Sequence, residues 1–375
     1  MESVKLKDIL NVKTGKHDAN HAVDKGTYHF FTCAIEPLRS NTFSFDDEVI
    51  ILPGNGANVG EVLYHKGKLE AYQRTYILHE IKADVKYLFY YLKKYWIRQI
   101  SRKQVGSATN YIKLDDILSF EIPLPDLATQ QKIAAVLDKA DELRQYNKQL
   151  IEKYDALTQS LFLDMFGDPV RNEKGFPKTT VRNLCEEVKY GTSAKSDGSG
   201  KWPYLRMNNI TYSGYMDFSD VKSINVSEKD FVKYSVKKGD VLFNRTNSKE
   251  LVGKTGIITN DDTYIIAGYL IRVRVNQVLA NPYFLWAHLN SKWAKLTLSN
   301  MCKNIVGMAN INAQELQDIL ILQPPVTLQN QFAERVQLIE QQKELAQQTL
   351  QKSEELFNSL LQKAFKGELV AEYEL

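Results

Sequence analysis

The chain has 375 residues, 43% hydrophobic and 25% charged, with a formal net charge of +3. That is the composition of an ordinary globular protein with room for two or three domains. No apolar run approaches the ~20 residues that span a bilayer, and MESVKLKDIL lacks the basic and apolar stretches of a signal peptide, so a cytosolic protein is expected. Cys33, Cys185 and Cys302 are few, odd in number and far apart, indicating neither a disulfide framework nor a zinc site.

Residues 5–125 read as a β-rich domain with some helix. EVIIL (48–52), GEVLY (60–64) and TYILHEI (75–81) are short β-branched or aromatic runs broken by turn residues such as Pro53-Gly54-Asn55-Gly56. KYLFYYLKKYWIRQISRK (86–103) has a helical period that puts Leu88, Tyr91, Leu92, Tyr95, Trp96 and Ile100 on one side. After a Gly/Ser/Asn loop, the prolines of IPLP (122–125) end the domain in extended chain.

A long helix is predicted next, from about Thr129 to Phe166. Ile133, Val136, Ala140, Leu143, Asn147, Leu150, Tyr154, Leu157 and Leu161 step by three and four along it, a coiled-coil seam with Asn147 as its one polar member. GDP (167–169) stops it.

Residues 178–325 replay the first domain with longer loops. TVRNLCEEVKYG (180–191) echoes KLKDILNVKTG (5–15), and GDVLFNRTNSKELVGKTGIIT (239–259) echoes DEVIILPGNGANVGEVLY (47–64). GYLIRVRV (268–275) corresponds to TYILHEI, and PYFLWAHLNSKWAKLTLSN (282–300) to the tyrosine-rich helix. A second long helix follows, with the row Phe332, Val336, Ile339, Lys343, Ala346, Leu350, Ser353, Phe357, Leu360 and Ala364.

From Ile112 onward the copies align without a gap at a shift of 199 residues: Ile112 faces Ile311, Pro125 faces Pro324, Gln130 faces Gln329, Ser160 faces Ser359 and Phe166 faces Phe365. So long a period means two copies of a whole domain-plus-helix unit. Each helix, about 36 residues or roughly 54 Å, finds its simplest partner in the other. The expected fold is α+β: two pseudo-twofold-related β-rich domains held apart by two long antiparallel coiled-coil helices, a dumbbell with a fixed bar.

Twofold readers of B-DNA use major-groove faces about 34 Å apart, and two diverged domains on a rigid spacer suit two different half-sites. The charge agrees: residues 168–330 carry 21 basic against 15 acidic residues, whereas 331–375 carry 5 against 8. Arg and Lys bond guanine and Asn bonds adenine along the major-groove edge. The candidate DNA-binding residues therefore lie on amide-rich and basic loops. Asn55 and Asn58 in the first domain match Asn244, Arg245, Asn247 and Lys249 at the equivalent strand end of the second. Lys103, Gln104, Ser107 and Asn110, after the tyrosine-rich helix, match Lys303, Asn304 and Asn310. Arg74, Arg206, Asn208 and Asn209 are weaker candidates, and for every one of these the competing role is a turn amide satisfying its own backbone.

Variable domain, IPLP/QPP-type segment with Gln-x-x-Ile/Phe, then long helix, all of it twice, resembles the specificity subunit of a Type I restriction–modification system over essentially the whole chain. The second segment, LQPPVTL, matches the family less well than IPLPDL. The resemblance implies a first target-recognition domain over 1–128, a conserved spacer helix over 129–167, a second recognition domain over 168–327, and a second spacer helix with a tail over 328–375. It implies that double-stranded DNA with a bipartite sequence is the ligand, and that two methyltransferase subunits dock on the helices and recruit motor-nuclease subunits. The partner would methylate adenine N6 from S-adenosylmethionine, with no cofactor on this chain and no membrane partner.

Catalytic motifs are lacking. Asn281-Pro282-Tyr283-Phe284 resembles the amine clamp of adenine methyltransferases with one proline missing, and reads better as a helix start. Pro53-Gly54-Asn55-Gly56 lacks the glycine spacing of a cofactor loop. Gly253-Lys254-Thr255 fails as a phosphate loop, because Ser248 stands where its first glycine belongs. His17, His21 and Asp18 suggest a metal, but no further cluster completes the ligands, so a solvated loop and no metal are expected. The alternative function is a coiled-coil scaffold with two protein-binding domains.

Overall fold

Short β-branched runs ending at prolines and glycines form sheets here, and the long 3–4 periodic stretches form helices. The computed structural model describes residues 3–101, 110–196, 198–248, 251–302 and 309–371. The chain divides into two units, Met1–Lys148 with Gln348–Leu375, and Gln149–Gln347, so each long helix contributes to both.

The first unit contains β1 (Ser3–Lys5), α1 (Leu6–Ile9), β2 (Asn11–Thr14), β3 (Tyr28–Phe31), β4 (Leu38–Ser40), β5 (Phe45–Pro53), β6 (Leu63–Ala71) and β7 (Thr75–His79). Then come α2 (Val85–Ser101), α3 (Leu114–Leu118), β8 (Glu121–Pro123) and the start of α4 (Leu127–Phe166). Six strands make a sheet of order β2-β7-β5-β6-β3-β4, and β1 pairs with β8. Only β3 and β6 run parallel within that sheet. Strand β5 is buried from Val49 to Pro53, as a central strand covered on both faces must be. Helix α2 lays Tyr87, Leu88, Leu92, Trp96 and Ile100 into the core.

In the second unit follow β9 (Lys178–Thr180), β10 (Cys185–Tyr190), β11 (Trp202–Leu205), β12 (Lys222–Ile224), α5 (Glu228–Tyr234), β13 (Ser235–Val236) and β14 (Val241–Asn244). After these are β15 (Thr246–Asn247), β16 (Thr255–Ile257), β17 (Tyr264–Ile266), β18 (Leu270–Val275), α6 (Pro282–Asn290) and α7 (Lys292–Met301). The chain closes with β19 (Ala309–Asn310), α8 (Ala313–Gln317), β20 (Leu320–Leu322), α9 (Val326–Lys366) and α10 (Glu368–Ala371). Two four-stranded sheets, β10-β18-β14-β16 and β12-β11-β17-β13, replace the single larger one. Asn281 starts α6 as an N-cap, its Oδ1 accepting from the Tyr283 N–H at 2.9 Å.

The aligned glutamines fasten each long helix to its own domain. The Gln130 amide accepts from the Asp84 N–H (2.8 Å) and donates to the Pro125 carbonyl (2.7 Å). Gln329 repeats this with the Asn281 N–H (2.8 Å) and the Pro324 carbonyl (2.8 Å). Both side chains are buried, and each, at the start of its long helix, satisfies two main-chain groups.

Inside each unit the helices pack antiparallel. In the first, the Asn147 amide donates to Ser353 Oγ (3.4 Å) and the Arg144 guanidinium lies 4.3 Å from the centre of the Phe357 ring. In the second, Lys343 pairs with Asp155, and Phe162 and Phe166 meet Phe332 at 5.9 and 5.2 Å. All ten positions of the α9 row, Lys343 and Ser353 included, are buried or half-buried. The α4 row needs correction. Leu143 and Leu157 are 43% and 48% exposed, and the inward positions are Leu137, Arg144, Ile151, Thr158 and Phe162, beside Ile133, Ala140, Asn147 and Tyr154. Val136, Leu150 and Leu161 are half-buried flanks. Leucine periodicity misleads because Arg144, Asn147 and Thr158 of this seam are polar.

The two domains share one main-chain skeleton. Gly54 donates to the Arg74 carbonyl (2.9 Å) and accepts from Ile112 N–H (3.0 Å), whereas Arg245 donates to Tyr269 (3.0 Å) and accepts from Ile311 (2.9 Å). Tyr72 donates to Phe31 as Ala267 donates to Leu205, and Gln73 donates to His17 as Gly268 donates to Thr192. These pairs equate Gly54 with Arg245, Arg74 with Tyr269, and His17 with Thr192.

Candidate nucleic-acid interface

Beyond β11 the second domain turns through a 3-10 segment, Met207–Asn209, held from within. The Asn209 Oδ1 accepts from Arg206 N–H (2.9 Å), and its amide donates to the Asp217 and Asp220 carbonyls (2.9 and 3.1 Å). Lys254 donates its ammonium to the Met207 carbonyl (3.0 Å) and to that of Ile210. Lys295 donates to the Gly253 carbonyl (2.6 Å). Burial lowers the Lys254 pKa and, with Lys254 nearby, brings Lys295 down to about 8. Lys254 thus serves the turn and Lys295 the chain at Gly253.

The turn forms one wall of an 840 Å³ cleft whose lining includes Lys195, Arg206, Asn208, Lys222, Arg245 and Tyr269. Four cations facing one concavity create a field that concentrates anions. Asp220 opposes only part of it, pairing with Arg206 (2.8 Å) and Lys222 (3.2 Å). The Arg245 guanidinium lies 5.0 Å from the centre of the Tyr190 ring, which aligns it without neutralising it. Asn208 and Tyr269 are exposed in the same place.

Among the residues expected to touch DNA, Arg206, Asn208 and Arg245 thus come together. Asn244 and Asn209 do not qualify. Asn244 is fully buried and donates to the Leu251 carbonyl (3.2 Å), and Asn209 is buried in the bonds just described. Both are turn amides satisfying nearby main chain. Asn310 is exposed and accepts from Thr246 Oγ1 (2.9 Å), and Asn247 pairs through its main chain with Ala309. Lys249, Lys303, Asn304, Lys103, Gln104 and Ser107 lie outside the described residues. Lys195, Lys222 and Tyr269 were missed. Tyr269 takes the place of Arg74 in the shared hydrogen bonds, and Lys222 stands opposite Tyr204 as Leu38 stands opposite Phe30, so neither position shows in the sequence as a match of like residues.

In the first domain Asn55, Asn58, Arg74 and Asn110 gather around the Gly54–Gly56 turn. Asn55 Oδ1 accepts from Cys33 Sγ (3.0 Å), Asn58 donates to the Cys33 carbonyl (2.7 Å), and Gly56 N–H donates to the Asn110 carbonyl (2.9 Å). Arg74 and Asn110 are exposed, while Asn55 and Asn58 are half-buried. No arginine fits at Gly54, because a Cβ there would stand 2.2 Å from the Arg74 carbonyl oxygen. The same skeleton therefore presents Arg74 beside Gly54 here and Tyr269 beside Arg245 in the second domain.

Two further expectations meet the geometry. His17 and His21 gain a carboxylate the sequence did not suggest, since the fold brings Glu70 of β6 to them. Among the described residues, no helix is long and apolar enough to cross a membrane.

The profile of the Type I restriction modification DNA specificity domain matches residues 1–154 and 179–355, once for each copy of the skeleton. The chain belongs to that family. The specificity subunit of the Type I restriction enzyme EcoDI from Escherichia coli is 24% identical over 99% of this chain and 89% of its own length. That of EcoKI from Escherichia coli strain K12 is 27% identical over 73% of this chain and 63% of its own. The crystal structure of a Type I S subunit from M. genitalium shares the fold at a TM-score of 0.66 and 16% identity, covering 97% of this chain and 96% of that one. As a member of the specificity-domain family the chain has the expected α+β architecture, two repeated domains and two long helices.

Proposed function

We propose that this chain supplies sequence specificity to a Type I restriction–modification complex and performs no chemistry itself. Each domain reads one half of a bipartite DNA sequence, and the long helices set the spacer between the halves. The helices dock two methyltransferase subunits, which methylate adenine N6 from S-adenosylmethionine, and through them the motor-nuclease subunits. The observation that carries the reading is one skeleton presenting unlike side chains at the same point, Arg245 where Gly54 stands. Unlike side chains presented from one shared skeleton are what two different half-sites require. The four cations of the 840 Å³ cleft support backbone and base contact by the second domain. Exposed Leu143, Leu157, Leu338, Leu345 and Leu356 along α4 and α9 fit helices that receive other subunits.

The test is to map methylated adenines by long-read sequencing in a host carrying this chain and a methyltransferase subunit that assembles with it. The comparison host carries the methyltransferase alone. A split motif is expected only with this chain. Arg245→Ala should weaken binding by about 1–3 kcal/mol and relax one half of the motif while the other half stays fixed. No motif from an assembled complex would overturn the specificity assignment, and equal loss in both halves would overturn the assignment of one half to each domain.

A further inference from the structure

The first domain buries a carboxylate where the second buries hydrocarbon. Phe30 pairs with Glu70 as Tyr204 pairs with Ile265, and Tyr28 pairs with Ser40 as Trp202 pairs with Ile224. Glu70 and Ser40 thus occupy the places of Ile265 and Ile224. In the second domain those isoleucines join Tyr204 and Ala267 in an apolar cluster flanked by Trp202 and Phe231. The first domain has no such cluster at this place, because Glu70 and Ser40 are themselves fully buried.

What surrounds Glu70 is a set of donors. Its carboxylate accepts from Ser44 Oγ (3.0 Å), Thr42 Oγ1 (3.3 Å) and the Ala71 N–H (3.0 Å), and lies 3.6 Å from His17 Nε2. His21 Nε2 is 2.8 Å from Thr42 Oγ1 and 3.2 Å from Ser40 Oγ. The two imidazoles stack at 3.7 Å with planes 11° apart. Hydroxyls and an amide solvate a buried carboxylate but do not neutralise it, and a buried charge is costly without a counter-charge. Among the described residues His17 is the only basic side chain paired with Glu70, and it is a counter-charge only when protonated.

We propose that His17, His21 and Glu70 bind a divalent transition-metal ion of the zinc class, which ties the segment around residues 17–21 to β6 in place of the apolar cluster. One donor atom from each of the three lies within 4.8 Å of the other two. Zinc takes imidazole and carboxylate at about 2.0–2.2 Å, so the donors must close by roughly 1 Å. The stacked rings must also fan so that their lone pairs converge, which the soft second side-chain torsion of histidine permits. Ser44 and Thr42 on the carboxylate are the kind of outer hydrogen bonds that orient metal ligands. Two imidazoles and one carboxylate favour zinc over calcium or magnesium, which prefer oxygen alone.

The test is titration of chelator-stripped, dialysed full-length protein with zinc(II) at pH 7.5, by calorimetry and by metal analysis after dialysis. One equivalent is expected. Affinity should fall at least 100-fold in His17→Ala and His21→Ala and at least tenfold in Glu70→Gln, which keeps the side-chain shape if a histidine variant fails to fold. His29→Ala and His65→Ala, which alter the other close histidine pair of this domain, should bind as the parent does. Cobalt(II) in place of zinc should give the strong visible bands of a low-coordinate site, absent from His21→Ala. Less than a tenth of an equivalent, or zinc lost only from the His29 and His65 variants, overturns the assignment.

Discussion

The two domains are one skeleton with two interiors. Their turn hydrogen bonds match pair for pair, yet one sheet packs Ile224, Ile265 and Tyr204 where the other holds Ser40 and Glu70 beside two histidines. Main-chain geometry is therefore the shared property, and side chains were free to diverge both on the surface and in the satellite core beneath it. Exchange across the pair is the sharpest way to break this comparison. Ile265→Glu puts the first domain's carboxylate into the second domain's apolar cluster, with no histidine there. The expected cost is about 3–5 kcal/mol, as for a buried charge with no partner, seen as lost amide-exchange protection in β11 and β17 while β5 is unaffected. Unchanged protection would mean that the places of Glu70 and Ile265 are not equivalent environments.

The second prediction tests what is the same. Gln130→Leu and Gln329→Leu each remove the side-chain partner of one main-chain N–H and one carbonyl, at Asp84 and Pro125 or at Asn281 and Pro324. Each should cost about 1–3 kcal/mol, by nearly equal amounts, with faster amide exchange confined to the start of α2 or of α6. A large effect in one unit and none in the other would show that only one staple holds its helix.

Legibility in the sequence follows the same division. The repeat, the strand runs and the α9 seam were readable because a 199-residue offset and a 3–4 period are properties of the chain itself. The α4 seam is not legible from hydrophobicity at Leu143 and Leu157, because the inward residues there are Arg144 and Thr158. The offset held the answer: moving the α9 row back by 199 puts Lys343 on Arg144 and Phe357 on Thr158. For the candidate interface, Arg206 and Arg245 were legible as basic residues on predicted loops. Asn244 and Asn209 look the same in sequence as Asn208, and only the fold separates amides turned inward from one turned out. Glu70 was illegible, since nothing local to β6 reports that residues 17 and 21 arrive beside it.

The smallest predicted effect lies in the second unit's part of α9. Burial pushes the Glu340 carboxyl up to about 7, and Lys343, one turn on, recovers only part of the cost. Its charge also contributes to raising the Tyr283 and Tyr215 phenols. A carboxyl with a raised pKa binds more protons folded than unfolded between about 4.5 and 7. Its contribution is therefore complete below pH 4.5 and is lost as pH rises through 7. Glu340→Gln, which mimics the protonated form, should match the parent near pH 4.5 and be more stable by about 1 kcal/mol at pH 8, allowing for partial solvent screening. Paired thermal melts across that range cancel the other carboxylates. A gain constant with pH would assign it to packing, and a loss at pH 8 would mean that the Glu340 charge is stabilised by Lys343 more than burial opposes it.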